Sequence, residues 1–167
     1  RIALCYLFAS LMIHYLSTRT VIIVSAVLLV LYWILLLVFG APGDPYSMEG
    51  NAGEYLDKFL LGANHLYHGE GVAFDPEGIL STMPAIVNVI VGYYAGRFLQ
   101  EKGKSYEALT KLLLVGSLFI IIALAWNMTF PINKKLWTSS FVLLTTGIDL
   151  IVISAGKQAP AHKTCCN

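Results

Sequence analysis

Residues 20–39 run from Thr20 to Phe39 through an almost purely aliphatic stretch without one charged side chain. A helix of about twenty residues is roughly 30 Å long, the thickness of a bilayer's hydrocarbon core. Such a run leaves few folds open, because in lipid every backbone N–H and C=O must be satisfied within the segment itself. Four more apolar runs of similar character fall at 2–17, 77–99, 109–127 and 138–156. They are continuous rather than alternating, which favours helices over a barrel. Of the 167 residues, 57% are hydrophobic and 13% charged, against about 25% charged in a soluble domain. The expected fold is therefore an all-α, polytopic transmembrane helix bundle of about five spans, integral to an inner, plasma or organelle membrane. The chain opens at Arg1, without Met or a signal-peptide pattern, and is apolar at once. It reads as a fragment of a larger bundle, with the membrane part over 1–156 and a polar tail over 157–167. No internal repeat is visible.

Sidedness follows from the bases. With five spans, Arg19, Arg97, Lys102, Lys104, Lys111, Lys157 and Lys163 share one side, and Arg1, Lys58, Lys134 and Lys135 the other. The positive-inside rule puts the first group in the cytosol. The long loop 40–78 is then extracytoplasmic, together with the loop that carries Asn133, Lys134 and Lys135. Loop 40–78 holds seven acids against the single base Lys58. Within it, residues 54–61 have helical spacing, with Tyr55, Phe59 and Leu60 on one surface, as in an amphipathic helix lying on the membrane.

The span over 77–99 has a legible start. Asp75 suits an N-cap, Pro76 the first helical position and Glu77 the positive helix end. Ser81, Ala85, Asn88, Gly92 and Gly96 then form a small and polar stripe, as on a helix packed closely against others. Faces of this kind also leave homo-oligomerisation open. Asn88, deep in the span, needs a hydrogen-bond partner inside the bundle.

Three clusters can carry chemistry. His65 and His68 could act as general bases, since an unperturbed imidazole titrates near neutrality. Asp75 and Glu77 can orient a histidine or bind the hydroxyl or amino groups of a sugar. Asn133, Lys134 and Lys135 can hold a carboxylate, a phosphate or a developing oxyanion. Each has a structural alternative: a helix start, snorkelling interfacial lysines, and surface histidines. No metal site is expected, since His65 and His68 lack further ligands nearby and adjacent Cys165 and Cys166 do not have zinc spacing. Asp149 lies inside the last span, where an acid faces a partner or polar path, or sits close enough to the cytosolic end to be hydrated. A net charge of +1 without a basic cluster gives no support to nucleic-acid binding.

The blocks Arg1–Leu7, Leu60-Leu-Gly with His65-Leu-Tyr67, Phe74–Thr82 running on to Gly92–Arg97, and Phe130–Ser140 resemble one family in the same order. It is the membrane acyltransferases related to heparan-α-glucosaminide N-acetyltransferase, whose bacterial relatives are often described as N-acetylglucosamine-related transporters. The resemblance implies an enzyme that takes acetyl from cytosolic acetyl-CoA and delivers it to a glucosamine amine on the far side. His65, Asp75, Glu77, Asn133 and Lys134 would line the acceptor mouth, with the catalytic histidine of the family expected upstream of Arg1. The lipid bilayer and an amino-sugar or glycan acceptor are the implied partners. Asp149 departs from the apolar residue expected there, and the tail after Gly156 does not resemble the family. An amino-sugar transporter, binding its substrate at the same mouth, is the alternative function. A non-catalytic membrane scaffold is a third.

Overall fold

Polar caps divide the apolar sequence into helices. The computed structural model describes residues 1–62, 66, 75–103 and 105–156. Among these are six helices and no strand: α1 (Ile2–Tyr15), α2 (Thr18–Phe39), α3 (Ala52–Leu61), α4 (Thr82–Lys102), α5 (Tyr106–Trp126) and α6 (Ser139–Gly156). Ser17, Asn51 and Ser105 each accept a first-turn amide, from Thr20, Glu54 and Ala108, at the starts of α2, α3 and α5. Each of the five apolar runs carries a helix. Three of the helices, α2, α5 and α6, are long and apolar enough to cross a membrane. α1 is apolar but only 14 residues long, and α4 has the length but carries Asn88, Arg97, Glu101 and Lys102. The chain is a multi-pass, helical membrane protein.

The start of α4 differs from expectation. The helix begins at Thr82 rather than near Glu77, and Asp75 is not its cap. The amides after Asp75 close a turn on it, and the Ile79 amide, which a helix begun there would give to the Asp75 carbonyl, goes to another element. The Glu77 N–H donates to Asp75 Oδ1 at 2.8 Å, the Gly78 N–H to the Asp75 carbonyl, and the Ile79 N–H to Asp57 Oδ1 on α3 at 3.0 Å. Residues 75–81 are thus a turn clamped to α3. Pro84 falls in the first turn of α4, where its missing N–H would have no intrahelical acceptor, so no kink is required.

α4 is the central helix, packed against α1, α2, α5 and α6. Cys5 and Ala9 of α1 meet Ala85, Ile86 and Ile90 of α4, and Ala95 meets Leu112 of α5 and Leu150 of α6. Ile22, Ile23, Val27 and Val38 of α2 point outward, as suits contact with acyl chains rather than water.

The close helix crossing is not on the expected stripe. A Cβ added at Gly92 or Gly96 meets nothing within 4 Å. One added at Gly116 of α5 would meet the Gly147 carbonyl oxygen of α6 at 2.7 Å, and one at Gly147 the Gly116 carbonyl oxygen at 2.7 Å. Two glycines facing one another bring the α5 and α6 backbones together. Gly147→Leu is therefore expected to force the helices apart at a cost of about 1–3 kcal/mol, while Gly96→Leu leaves stability nearly unchanged. Thermal unfolding of both variants in detergent checks this; equal midpoints would reject the crossing as the tight contact.

The loops at the Arg1 end of the bundle are joined. Tyr46 donates its hydroxyl to the Thr129 carbonyl at 3.3 Å, Lys135 Nζ lies 3.7 Å from Met48 Sδ, and the Tyr32 hydroxyl donates to the Leu136 carbonyl. The acidic loop and the lysine loop do share one end, as the span count requires. Beneath them Phe130 is fully buried among Tyr32, Trp33, Tyr46 and Trp126.

Candidate functional site

α3 is amphipathic with an unusual orientation. Tyr55, Phe59, Leu60 and Leu61 are exposed, Phe59 at 85%, whereas Glu54 and Asp57 are each only 2% exposed. The apolar surface suits the membrane interface, and the acids face the bundle. Lys58 Nζ forms an ion pair with Glu54 Oε1 at 2.7 Å, and neither Glu54 oxygen accepts a hydrogen bond among the described residues. Asp57 holds the Ile79 N–H through Oδ1, and its Oδ2 lies against Gly78, where any Cβ would overlap it. A side chain there would displace the Asp57 carboxylate. Burial pushes the Asp57 carboxyl above the ordinary carboxylate range; the Ile79 N–H pulls the other way, and the negative charge of Asp75 adds to the rise.

A small cavity of about 10 Å³ lies at this junction, lined in part by Tyr32, Asn51, Asp57, Asp75, Ser81 and Lys135. It brings together α2, α3, the 75–81 turn and the 127–138 loop. Of the residues singled out in the sequence as candidates for chemistry, Asp75 and Lys135 line it. Glu77 lies beside it, 59% exposed at its side chain, with its Oε1 3.4 Å from the Arg1 guanidinium. Arg1 also donates to the Pro76 carbonyl and stacks over Trp137, 4.2 Å from the ring centroid. Asn133 turns its side chain inward on its own loop, where Oδ1 accepts the Lys135 N–H at 2.9 Å. Lys134 is exposed at the same end, and it is the neighbouring Lys135 that lines the cavity. His65 and His68 lie outside the described residues.

Asp57 and Glu54 are hard to read from the sequence because the aromatic face of α3 is its conspicuous feature. The available signal was their spacing: residues 54 and 57 share a helix face away from Tyr55 and Phe59. Trp137 was also missed. It has φ of 53°, a left-handed conformation that a bulky residue rarely adopts. The strained backbone holds the indole beneath Arg1, and its Nε1 is buried without a hydrogen-bond partner among the described residues.

Two polar features lie away from the mouth. Asn88 does not find the expected partner: its Oδ1 is buried without a hydrogen bond among the described residues. It borders an open groove of about 990 Å³ between α1 and α4 that also touches His14 and Tyr93. Asp149 is exposed on α6 and forms no ion pair among the described residues. No group of three metal-binding side chains occurs among the described residues.

Fold and mouth together define a class: helical, multi-pass membrane proteins with a charged pocket at one end of the bundle. Within that class, the chain is similar to curated relatives named heparan-alpha-glucosaminide N-acetyltransferase. It is 38% identical over 123 residues to the one from Mus musculus, across 62% of this chain. It is 32% identical over 123 residues to the one from Homo sapiens, across 64% of this chain. The family-level resemblance carried by the motifs is thus met by relatives of that name, over part of the chain. The match spans 18% of the length of each relative. No protein-family model matches the chain.

Proposed function

We infer that this chain is part of a membrane-bound enzyme that transfers an acetyl group from acetyl-CoA to the amine of an amino sugar or glycan at the extracytoplasmic face. The observation that carries the reading is the likeness to N-acetyltransferases of a glucosaminide. The pocket supports it, since carboxylates beside a lysine suit a polar, amine-bearing acceptor better than an apolar one. Asp75 would meet the acceptor, with Glu77 held by Arg1 at the rim. His65, Asn133 and Lys134 complete the proposed mouth, and the base histidine is expected upstream of Arg1.

The direct test supplies labelled acetyl-CoA on one side of vesicles holding the full-length gene product and glucosamine on the other. N-acetylglucosamine should appear with the acceptor. Uptake of sugar without acetylated product would overturn the reading in favour of transport. The face is tested separately, in a cysteine-free background, with Glu49→Cys and Gln100→Cys, which lie at opposite ends of the bundle and are both exposed. An impermeant thiol reagent applied outside should label Glu49→Cys alone. Labelling of Gln100→Cys alone would invert the orientation.

A further inference from the structure

The mouth contains a buried carboxylate whose role the sequence does not announce. Asp57 is 2% exposed, yet it lines the cavity and uses only one oxygen, Oδ1, to hold the Ile79 N–H. Its other oxygen, Oδ2, lies against Gly78. A carboxylate this far buried is costly to maintain if its task is only to hold one amide. An asparagine side chain holds an amide as well without the charge. The cavity beside it, about 10 Å³, admits roughly one water-sized group. A whole sugar does not fit that space, but an ammonium group does. The charges around it comprise Asp75 from the turn and Lys135 from the 127–138 loop, with the Glu77–Arg1 pair at the rim, Tyr32 facing from α2 and the Glu54–Lys58 pair on α3 itself.

The geometry points to Asp57 as the residue that receives the acceptor's ammonium group in this cavity and takes its proton before acyl transfer. This rests on the acetyl-transfer reading above and names the acceptor by its chemistry, a primary ammonium on a hydroxylated ring. The balance is simple. R–NH3+ gives one proton to the Asp57 carboxylate and becomes R–NH2. The amine attacks the carbonyl carbon of an acyl thioester; the N–C bond forms and the C–S bond breaks. The second amine proton goes to the departing thiolate, giving a thiol and the amide. Asp57 then releases its proton to solvent. Burial and the Asp75 charge both raise the affinity of Asp57 for that proton, which brings it closer to that of a proton acceptor working near neutrality.

The test uses the full-length protein with acetyl-CoA and glucosamine. Asp57→Asn keeps an oxygen for the Ile79 N–H and removes only the charge. Its kcat/KM for glucosamine should fall about a hundredfold or more, with thermal unfolding in detergent little changed. In the wild type, kcat/KM should rise with pH as Asp57 loses its proton, over a range above that of an ordinary carboxylate. That limb should vanish in Asp57→Asn. Wild-type kcat/KM with an unchanged pH profile in the variant would overturn the assignment while leaving acetyl transfer standing. Absence of any acetylated product from the wild type would instead remove both. A measurement independent of the variant's folding uses the wild type alone. Glucosamine should compete for the site at least tenfold better than glucose, which carries a hydroxyl in place of the amine; equal competition would overturn the ammonium assignment.

Discussion

Phe130→Ala is expected to destabilise the protein by about 3–5 kcal/mol, the cost of emptying a fully buried aromatic site. Phe130 has no exposed surface, and its ring centroid lies 5.2 Å from that of Tyr46 and 6.2–6.3 Å from those of Tyr32, Trp33 and Trp126. Those four aromatics come from α2, α5 and the first loop, so one ring ties two helices to the loop that carries α3. Its neighbours are themselves tethered by hydrogen bonds: Trp33 Nε1 donates to the Tyr46 hydroxyl at 3.0 Å, and that hydroxyl donates to Thr129. They have little freedom to close the void, which places the cost in the upper part of the usual range for such truncations. Phe130→Leu removes less volume and should cost less. The measurement is unfolding of purified protein in one detergent, with both variants beside the wild type. A loss below about 1 kcal/mol for Phe130→Ala would mean that the aromatic cluster is not what joins the loops.

The sequence was most legible where a single force dominates. Desolvation of the backbone decides that residues 20–39 form a helix, and the structure extends that helix to Thr18–Phe39. The pairing of the two loops at one end follows from the number of spans, without knowledge of any contact. Legibility fails where two forces compete over the same residues. Asp75-Pro-Glu has the chemistry of a helix start, but the Ile79 amide found a better acceptor in Asp57, 22 residues away, and the turn stayed open. Nothing local to residues 75–81 reveals that partner. The glycines make the same point. Gly92 and Gly96 carry the spacing of a packing stripe, yet no neighbour approaches them, whereas Gly116 and Gly147 sit in separate helices without such spacing, and their meaning appears only when α5 crosses α6. In the site, the order of legibility is reversed for charge. Asp75 stands out because it adjoins proline, while Asp57, on the inward face of a helix whose aromatic side is conspicuous, is the more deeply buried of the two.

Asp75→Asn should reduce acetyl transfer by the full-length protein about a hundredfold or more, the scale for removing one charge aimed at a reacting group. Stability should stay within roughly 0.5 kcal/mol of the wild type, as for substitutions that leave local structure intact. The two expectations separate because the residue does two things. Its Oδ1 accepts the Glu77 N–H at 2.8 Å and so closes the turn. An asparagine oxygen accepts that amide equally well, so the turn survives and only the charge goes. The lost charge acts in two places: on an acceptor in the cavity, and on Asp57, whose proton affinity Asp75 raises. With Asp75 neutral, Asp57 should release its proton at lower pH, and the rising limb of the pH–rate profile should move to lower pH with it. A purely structural Asp75 would shift neither the rate nor the limb. A well-folded Asp75→Asn protein with full activity and an unmoved limb would confine this carboxylate to closing its turn, and the acceptor's contacts would then have to come from Asp57 and the lysine loop.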